Sequence, residues 1–266
     1  VRVMHDINIS AIDAPKSFAL AKGVNAAGLA VGASEAWATT ESEVTASVSG
    51  TIITGNLGIL AQKTQQATFD NGNAIAWASS GSLIGINATI SKAVDYSDVK
   101  ALVGTNSTLN VSGSLTLSAI NTGKQTAKAQ NQVMVELILA IGGSTAEAIS
   151  DTVTEALFGN TVRIAGNGFI EISAFASDNN TAEASAGGGG AIAGSSTRSI
   201  TDSKGMTTAG LGTGNIINVF SFSISASHVT TGNTGLNSLT IGVISGSGVY
   251  ATNTVDSTVV AKIGEG

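Results

Sequence analysis

The sequence predicts an all-β protein, a right-handed parallel β-solenoid made of five degenerate repeats of roughly 53 residues. Three observations favour this fold. Short strings of residues recur at a nearly constant spacing, apolar and polar residues alternate along those strings, and the apolar content comes almost entirely from small and β-branched side chains.

The first recurring string is a short apolar strand that ends in alanine, as in the segment LTLSA that ends at Ala119. Its copies end at Ala11, Ala61, Ala119, Ala174 and Ala226. Successive alanines are 50, 58, 55 and 52 residues apart. A spacing this constant indicates copies of one structural unit that stack along an axis.

Two further strings repeat with a similar period and in the same order. In one, an alanine and an apolar residue two positions later precede a glycine, and the alanines are Ala46, Ala101, Ala156, Ala209 and Ala261. In the other, a glycine lies inside a run of alternating apolar residues, at Gly32, Gly85, Gly142, Gly194 and Gly242. Chance is a poor explanation for three independent strings that share one period.

The approximate repeats are 1–55, 56–112, 113–167, 168–220 and 221–266. We expect them to form a single continuous solenoid, and we interpret the chain as an internal fragment of a larger protein because the repeat is already running by Ile7. A usual solenoid coil takes roughly 18–25 residues. Each repeat therefore makes either two or three short coils or one wide coil with long faces. An antiparallel hairpin between Gly23 and Gly28 is a further alternative.

Alternation of apolar residues within each repeat predicts strands. Leu29 and Val31 show it in the first repeat, and Ile84 and Ile86 show it in the second. A period of two is expected of strands that bury one face, so these apolar residues are predicted to face the core. The apolar run Val133–Ile141 is predicted to be a strand because its counterparts in the other repeats are strands.

Composition excludes several other classes of protein. Hydrophobic residues are 42% of the chain but aromatic residues only 4%, which predicts a narrow, regular interior. The net charge of −6 disfavours nucleic-acid binding, and a mean hydropathy of +0.30 disfavours disorder. No run approaches the ~20 apolar residues of a membrane-spanning helix. The chain has 1 proline, which suits uninterrupted strand ladders, and no cysteine.

Several strings resemble the alanine- and glycine-rich β-strand repeats of giant bacterial surface proteins, the filamentous-haemagglutinin-like and autotransporter-type adhesins. The clearest are Leu115–Ala119, Ala27–Ser34 and Val99–Gly104, and the resemblance extends over almost the whole chain. It implies a parallel β-solenoid, export, and a role as a shaft or an adhesive surface. No transport-signal segment or receptor-binding motif of that family can be matched residue by residue.

Neither a metal site nor a cofactor site is predicted. The two histidines, His5 and His228, lie in different repeats and are expected to face solvent. Asp95, Asp98 and Asp151 are expected to be solvated loop residues. These residues therefore do not make the ligand cluster that a metal ion requires.

No catalytic residues are predicted either. A polysaccharide-cleaving β-helix needs paired carboxylates, or a carboxylate cluster beside a basic residue, on one face. Glu171 and Asp178 are the acids in register with a basic neighbour, Arg163, and a solvated face is the favoured interpretation. The run Gly187–Gly190 lacks the aspartates of a Ca²⁺-binding repeat and is expected to be a flexible turn or a close backbone contact.

Trp37 and Trp77 are the candidate carbohydrate contacts. Each lies between two alanines, so strand alternation places the indole on the face opposite those alanines. Sugar rings stack on exposed aromatic faces. The alternative is that both rings pack under a loop or at a corner of the solenoid.

The leading functional hypothesis is a structural and adhesive shaft segment without catalytic activity, located outside the cell or on its surface. Its partners would be host cells, surface glycans or neighbouring subunits. One alternative is a carbohydrate-binding or polysaccharide-cleaving β-helix. Another is a self-assembling extracellular filament whose subunits join end to end, because uncapped solenoid ends expose strand edges.

Overall fold

The computed structural model describes residues 1–3, 5–65, 70–133 and 136–264, without the side chains of residues 132 and 133. These residues form strands and turns and no helix. The strands are β1 (Asp6–Asp13), β2 (Ser17–Thr40), β3 (Glu43–Val48), β4 (Thr51–Thr54), β5 (Asn56–Lys63), β6 (Gly72–Asp95), β7 (Asp98–Val103), β8 (Thr108–Val111), β9 (Leu115–Val133), β10 (Leu139–Phe158), β11 (Arg163–Ala165), β12 (Phe169–Gly189), β13 (Ile192–Leu211), β14 (Ile216–Asn218), β15 (Ser221–Ile241) and β16 (Ile244–Lys262).

Every pairing between these strands is parallel, and the protein is a parallel β-solenoid, as the sequence predicts. Strand β1 pairs with β5, β5 with β9, β9 with β12, and β12 with β15. The chain therefore completes one circuit before it meets its hydrogen-bonded neighbour. Each circuit is one wide coil, not two or three short ones.

We number the coils by their strands, with β1–β4 in the first, β5–β8 in the second, β9–β11 in the third, β12–β14 in the fourth and β15–β16 in the fifth. Each coil has an outgoing arm and a returning arm, and the first four also have a short strand that closes the circuit. In the third coil these are β9, β10 and β11. We call the reversal between the arms the tip, and the end with the short strands the base.

The chain passes through the tip of the second coil within one strand. The first part of β6 pairs with β9 from Gly72 to Ser80, and the second part pairs with β10 from Ile84 onward. In the first coil, β2 pairs with β6 in parallel on both sides of the tip. The antiparallel hairpin considered for Gly23 to Gly28 is therefore not formed, although the chain does reverse there.

Two of the three recurring strings coincide with the register of the sheets. Ala11, Ala61, Ala119, Ala174 and Ala226 lie directly beside one another in successive coils, and so do Ala46, Ala101, Ala156, Ala209 and Ala261. The glycine string does not follow the register, because Gly32 pairs with Asn87 and Gly142 pairs with Ser195.

The core changes in character from base to tip. At the base, where the arms and the short strands meet, large side chains such as Leu57, Leu109 and Phe158 fill the interior. Towards the tip the two arms pack directly on each other through alanines such as Ala74 on the outgoing arm and Ala93 on the returning arm. Interiors are close-packed, so side-chain size must fall as the arms converge. Because the narrow part of the interior has room only for small side chains, the sequence is hydrophobic but has few aromatic residues.

The strand predicted over Val133–Ile141 is wrong over its described middle part. Strand β9 ends at Val133 and β10 begins at Leu139, while residues 136–138 lie in a bend between them. Residues 134 and 135 lie outside the described residues. Residues 136–138 of the apolar run therefore lie at the tip of the third coil, between its two arms.

Candidate functional site

A layer of polar side chains lies inside the solenoid, between the bulky core at the base and the alanine core towards the tip. We call it the polar layer; its principal members are Lys63, Asp95, Ser97, Asn121, Gln125, Asp178, Asn180 and His228. Buried polar groups are costly unless they pair with one another, so each contact in this layer matters for the fold.

The second coil contributes a buried ion pair to the polar layer. The ammonium of Lys63, at the end of the outgoing arm's first strand, contacts Asp95 Oδ2 on the returning arm, and both side chains are 0% exposed. Gln125 of the third coil donates from Nε2 to the same oxygen at 3.0 Å, and Ser97 donates to Oδ1. The sequence-based expectation that Asp95 is a solvated loop residue is wrong.

The fourth and fifth coils contribute a second buried pair. His228 Nε2 lies 2.8 Å from Asp178 Oδ2, with side chains 1% and 2% exposed, respectively. Thr207 Oγ1 lies 3.2 Å from the other ring nitrogen, Nδ1. The expectation that His228 faces solvent is therefore wrong. The imidazole fits because a Cβ at position 205, now Gly205, would lie 2.2 Å from its Cε1 atom.

Gly123 lies where the two buried pairs approach each other. A Cβ at this position would lie 2.7 Å from Asp95 Oδ2, 3.5 Å from Lys63 Nζ and 3.7 Å from Asp178 Oδ1. Because Gly123 has no side chain, the Asp95, Lys63 and Asp178 side chains can occupy this space. The polar layer is thus continuous from the second coil to the fifth.

The acids considered for a polysaccharide-cleaving site do not converge. Asp178 faces the interior beside His228, Glu171 is exposed on the outer side of β12, and Arg163 is exposed on the short strand β11. The two acids are therefore separated by the wall of the outgoing arm. Among the described residues, no group of three or more His, Asp or Glu side chains is arranged to hold a metal ion.

The glycine run at the tip of the fourth coil makes a close backbone contact. Its first three residues end β12, Gly190 follows the strand, and a Cβ at Gly142 of the third coil would lie 2.6 Å from the carbonyl oxygen of Gly187. A side chain at position 142 therefore has no room. Of the two interpretations made from the sequence, the structure fits the close contact.

Trp37 and Trp77 both point outward, as strand alternation predicts, with 62% and 40% of each residue exposed. They do not share a surface, because Trp37 lies on a returning arm and Trp77 on an outgoing arm. A lysine of the adjacent coil covers each ring: Lys92 Nζ lies 5.9 Å from the Trp37 centroid and Lys22 Nζ lies 4.8 Å from the Trp77 centroid. Each is a separate cation–π pair.

The tip of the solenoid is inverted, with polar residues inside and aliphatic residues outside. In the second coil Asn87 and Thr89 are buried, whereas Ile86 and Ile90 are 38% and 41% exposed. The buried groups link arms and coils, since Asn131 Nδ2 donates to the Asn87 carbonyl at 3.1 Å. The prediction that the alternating apolar residues face the core is therefore wrong at the tip.

The aliphatic residues on the outer side of the tip form a ridge parallel to the solenoid axis. In successive coils its first column is Leu29, Ile84, Leu139, Ile192 and Ile244, and its second column begins with Val31, Ile86 and Ile141. Exposure reaches 64% at Leu29, 67% at Val31 and 65% at Ile244 in the first and last coils, whereas Ile84 and Leu139 between them are half-buried. Four steps of ~4.8 Å make this aliphatic ridge about 19 Å long. The sequence analysis did not identify it.

Comparison of the chain with protein-family models, with curated proteins and with solved structures finds no match. The described residues include no helix that is long and apolar enough to cross a membrane.

Proposed function

We propose that the chain is a segment of the shaft of a large exported bacterial surface protein, with a structural and adhesive role and no catalytic activity. The observation that supports this proposal most strongly is the shared register of the alanine strings, since the same alanines lie side by side from the first coil to the fifth. Stacked coils of this kind stabilise one another through nearest-neighbour contacts and give a stiff body.

The dimensions of a coil suit a broad contact surface. An arm of 19 residues, such as β9, is about 60 Å long at ~3.3 Å per residue, whereas each coil advances the axis by only ~4.8 Å. A wide coil therefore adds surface much faster than it adds length. This geometry favours a blade with two large faces over a thin spacer.

The surface location is tested on the cells that produce the protein. Antibodies raised against the purified chain are expected to label intact cells, and brief protease treatment of those cells is expected to remove the label. A cytoplasmic protein serves as the control and should resist the protease. Labelling that requires lysis would contradict the proposed location.

The adhesive role is tested with the purified chain. Saturable binding to host cells or to immobilised surface glycans is expected, and a chain with the same composition in scrambled order provides the control. Binding that does not saturate, or that the scrambled chain reproduces, would contradict adhesion and leave the stiff shaft as the role.

The aliphatic ridge favours a second candidate, lateral association of two copies of this chain in a fibre. Its first and second columns contain no charged residue, and its rows repeat at the strand spacing, which a second identical ridge matches row for row. Exposed apolar patches on monomers rarely exceed a few hundred Å². A two-fold pair would cover the aliphatic residues of both copies.

Sedimentation of the purified chain tests lateral association. The wild type is expected to form dimers or longer assemblies, and the double variant Ile86→Asp, Ile141→Asp is expected to be monomeric. Ser196→Asp, which adds a charge near but outside the ridge, is the matched control and should associate normally. A monomeric wild type at high concentration would refute lateral pairing without affecting the shaft proposal.

A further inference from the structure

The buried pair Lys63 and Asp95 differs from the other lysine–carboxylate pairs of the described residues. Its side chains are both 0% exposed, whereas the lysines of the other pairs are at least 28% exposed. The two residues are 32 positions apart and lie on opposite arms of one coil. Removing two charges from water is costly, and transfer of the proton between them makes both neutral.

The Asp95 carboxyl group is held by donors on both oxygens. Ser97 donates to Oδ1, and Gln125 Nε2 donates to Oδ2 at 3.0 Å. The Lys63 nitrogen contacts Oδ2 as well, so it lies next to the carboxyl carbon. Preorganised donors aimed at a carboxyl group stabilise the negative charge that develops when a nucleophile attacks it.

We propose that Lys63 and Asp95 become joined by an intramolecular isopeptide bond. The lysine ammonium first gives a proton to Asp95, which leaves a neutral amine and a neutral carboxylic acid. The amine lone pair attacks Cγ of Asp95 and forms a tetrahedral intermediate, whose oxyanion accepts hydrogen bonds from the neighbouring donors. A proton then moves from Nζ to the leaving hydroxyl, the C–O bond breaks, and one water molecule departs as the amide forms.

Proximity supplies what this reaction needs. A bimolecular condensation becomes unimolecular when the fold holds the amine against the carboxyl group, and the resulting gain in effective concentration is large. A side chain at position 123 would lie within 4 Å of both Asp95 Oδ2 and Lys63 Nζ. Because this residue is Gly123, nothing at this position keeps the amine and the carboxyl group apart. The product is a covalent link between the outgoing and returning arms of the second coil.

Mass spectrometry of the purified, fully denatured chain tests the proposal. The intact mass is expected to be lower than the sequence mass by one water molecule. Proteolysis is expected to release a branched peptide that contains both Lys63 and Asp95. The Asp95→Asn variant is expected to keep its full sequence mass, because an amide cannot accept the proton that the Lys63 ammonium must lose before its nitrogen can attack.

Two variants separate this bond from other dehydrations. An aspartate can also lose water by cyclising onto its own backbone, which does not involve a lysine, so Lys63→Arg distinguishes the two reactions. Lys63→Arg and Asp95→Ala are both expected to show the full sequence mass. Lys92→Arg, which alters a half-buried pair on the outer surface, is the control and should still lose water.

Full sequence mass in a wild-type chain whose circular dichroism shows folded β-structure would overturn the proposal and leave a buried ion pair only. Water loss that persists in Lys63→Arg would also overturn it, because the dehydration would then be local to the aspartate. Loss of water in the wild type but not in Lys63→Arg, together with the branched peptide, would establish the bond.

Discussion

The inverted tip makes a prediction that strand alternation alone would not make. Ile141 and Ile172 both lie in alternating apolar segments, yet Ile172 is 0% exposed and Ile141 is 45% exposed. We therefore expect Ile172→Ala and Ile141→Ala to have very different effects on the free energy of unfolding. The two substitutions remove the same atoms, so each is the matched control of the other.

The magnitudes follow from burial. Ile172→Ala removes buried atoms and leaves a cavity in the core at the base, and such changes cost about 2–5 kcal/mol. Ile141→Ala leaves no closed cavity, since its side chain borders solvent, and roughly half of the ~2 kcal/mol for burying such a side chain is lost. We expect about 3 kcal/mol for the first variant and about 1 kcal/mol or less for the second.

Urea unfolding followed by circular dichroism measures both values, provided that the slope of the free energy against urea concentration is the same for each variant. An Ile141→Ala variant that is destabilised as much as Ile172→Ala would refute the reasoning, because Ile141 would then lie in the core. The assignment of polar residues to the inside of the tip would then be wrong, and so would the assignment of the aliphatic ridge to its outer surface.

Three further predictions concern other parts of the chain. Gly205→Val is expected to displace the buried imidazole, leave its carboxylate partner unpaired and cost about 2–4 kcal/mol in the urea unfolding assay. Gly194→Val, with nothing within 4 Å of its Cβ position, should be nearly neutral in the same assay. The hydrogen bond to Asp98 raises the pKa of Lys100 above its usual 10.5; burial opposes this shift, and attraction to Asp98, Glu155 and Glu43 adds to it. The Lys100–Asp98 pair therefore stabilises the fold below pH 10.5, and this stabilisation is lost as the pH rises through the raised pKa of Lys100. Lys100→Met should abolish this pH-dependent contribution, which is no more than about 0.5 kcal/mol, when the free energy of unfolding is measured from neutral to alkaline pH. Trp77→Ala is expected to weaken glycan binding measured by calorimetry if its face is the contact surface, and unchanged binding would exclude that ring.

The parallel solenoid and most of its register could be predicted because the alanine strings mark positions where the interior has room only for a methyl group. Ala61 and Ala119 recur for that reason and lie side by side. The glycine string did not predict the register, because glycines at the tip such as Gly142 are required by close local backbone contacts that differ from coil to coil. Composition alone could not reveal that one coil takes a whole repeat, because the chain reverses inside continuous strands.

The polar layer carried a signal that the sequence analysis did not use. Lys63 lies two residues after Ala61, and His228 lies two residues after Ala226, so both share the inward face of an alanine that marks the core. Their partners could not be predicted, because Asp95 and Asp178 reach them only through the stacking of arms and coils. The inversion at the tip could not be predicted either, because alternation alone does not say which side of a strand is buried.

The second coil also shows that the circuit tolerates extra length. Lys63 pairs with Asn121 and Gly72 pairs with Gln125, so the chain takes nine steps in the second coil where the third coil takes four. The ladder nevertheless resumes in register on both sides. Foreign segments inserted between positions 63 and 72 are therefore expected to leave the stack intact, which would make this stretch a natural attachment point for epitopes, recognition loops or whole appended modules.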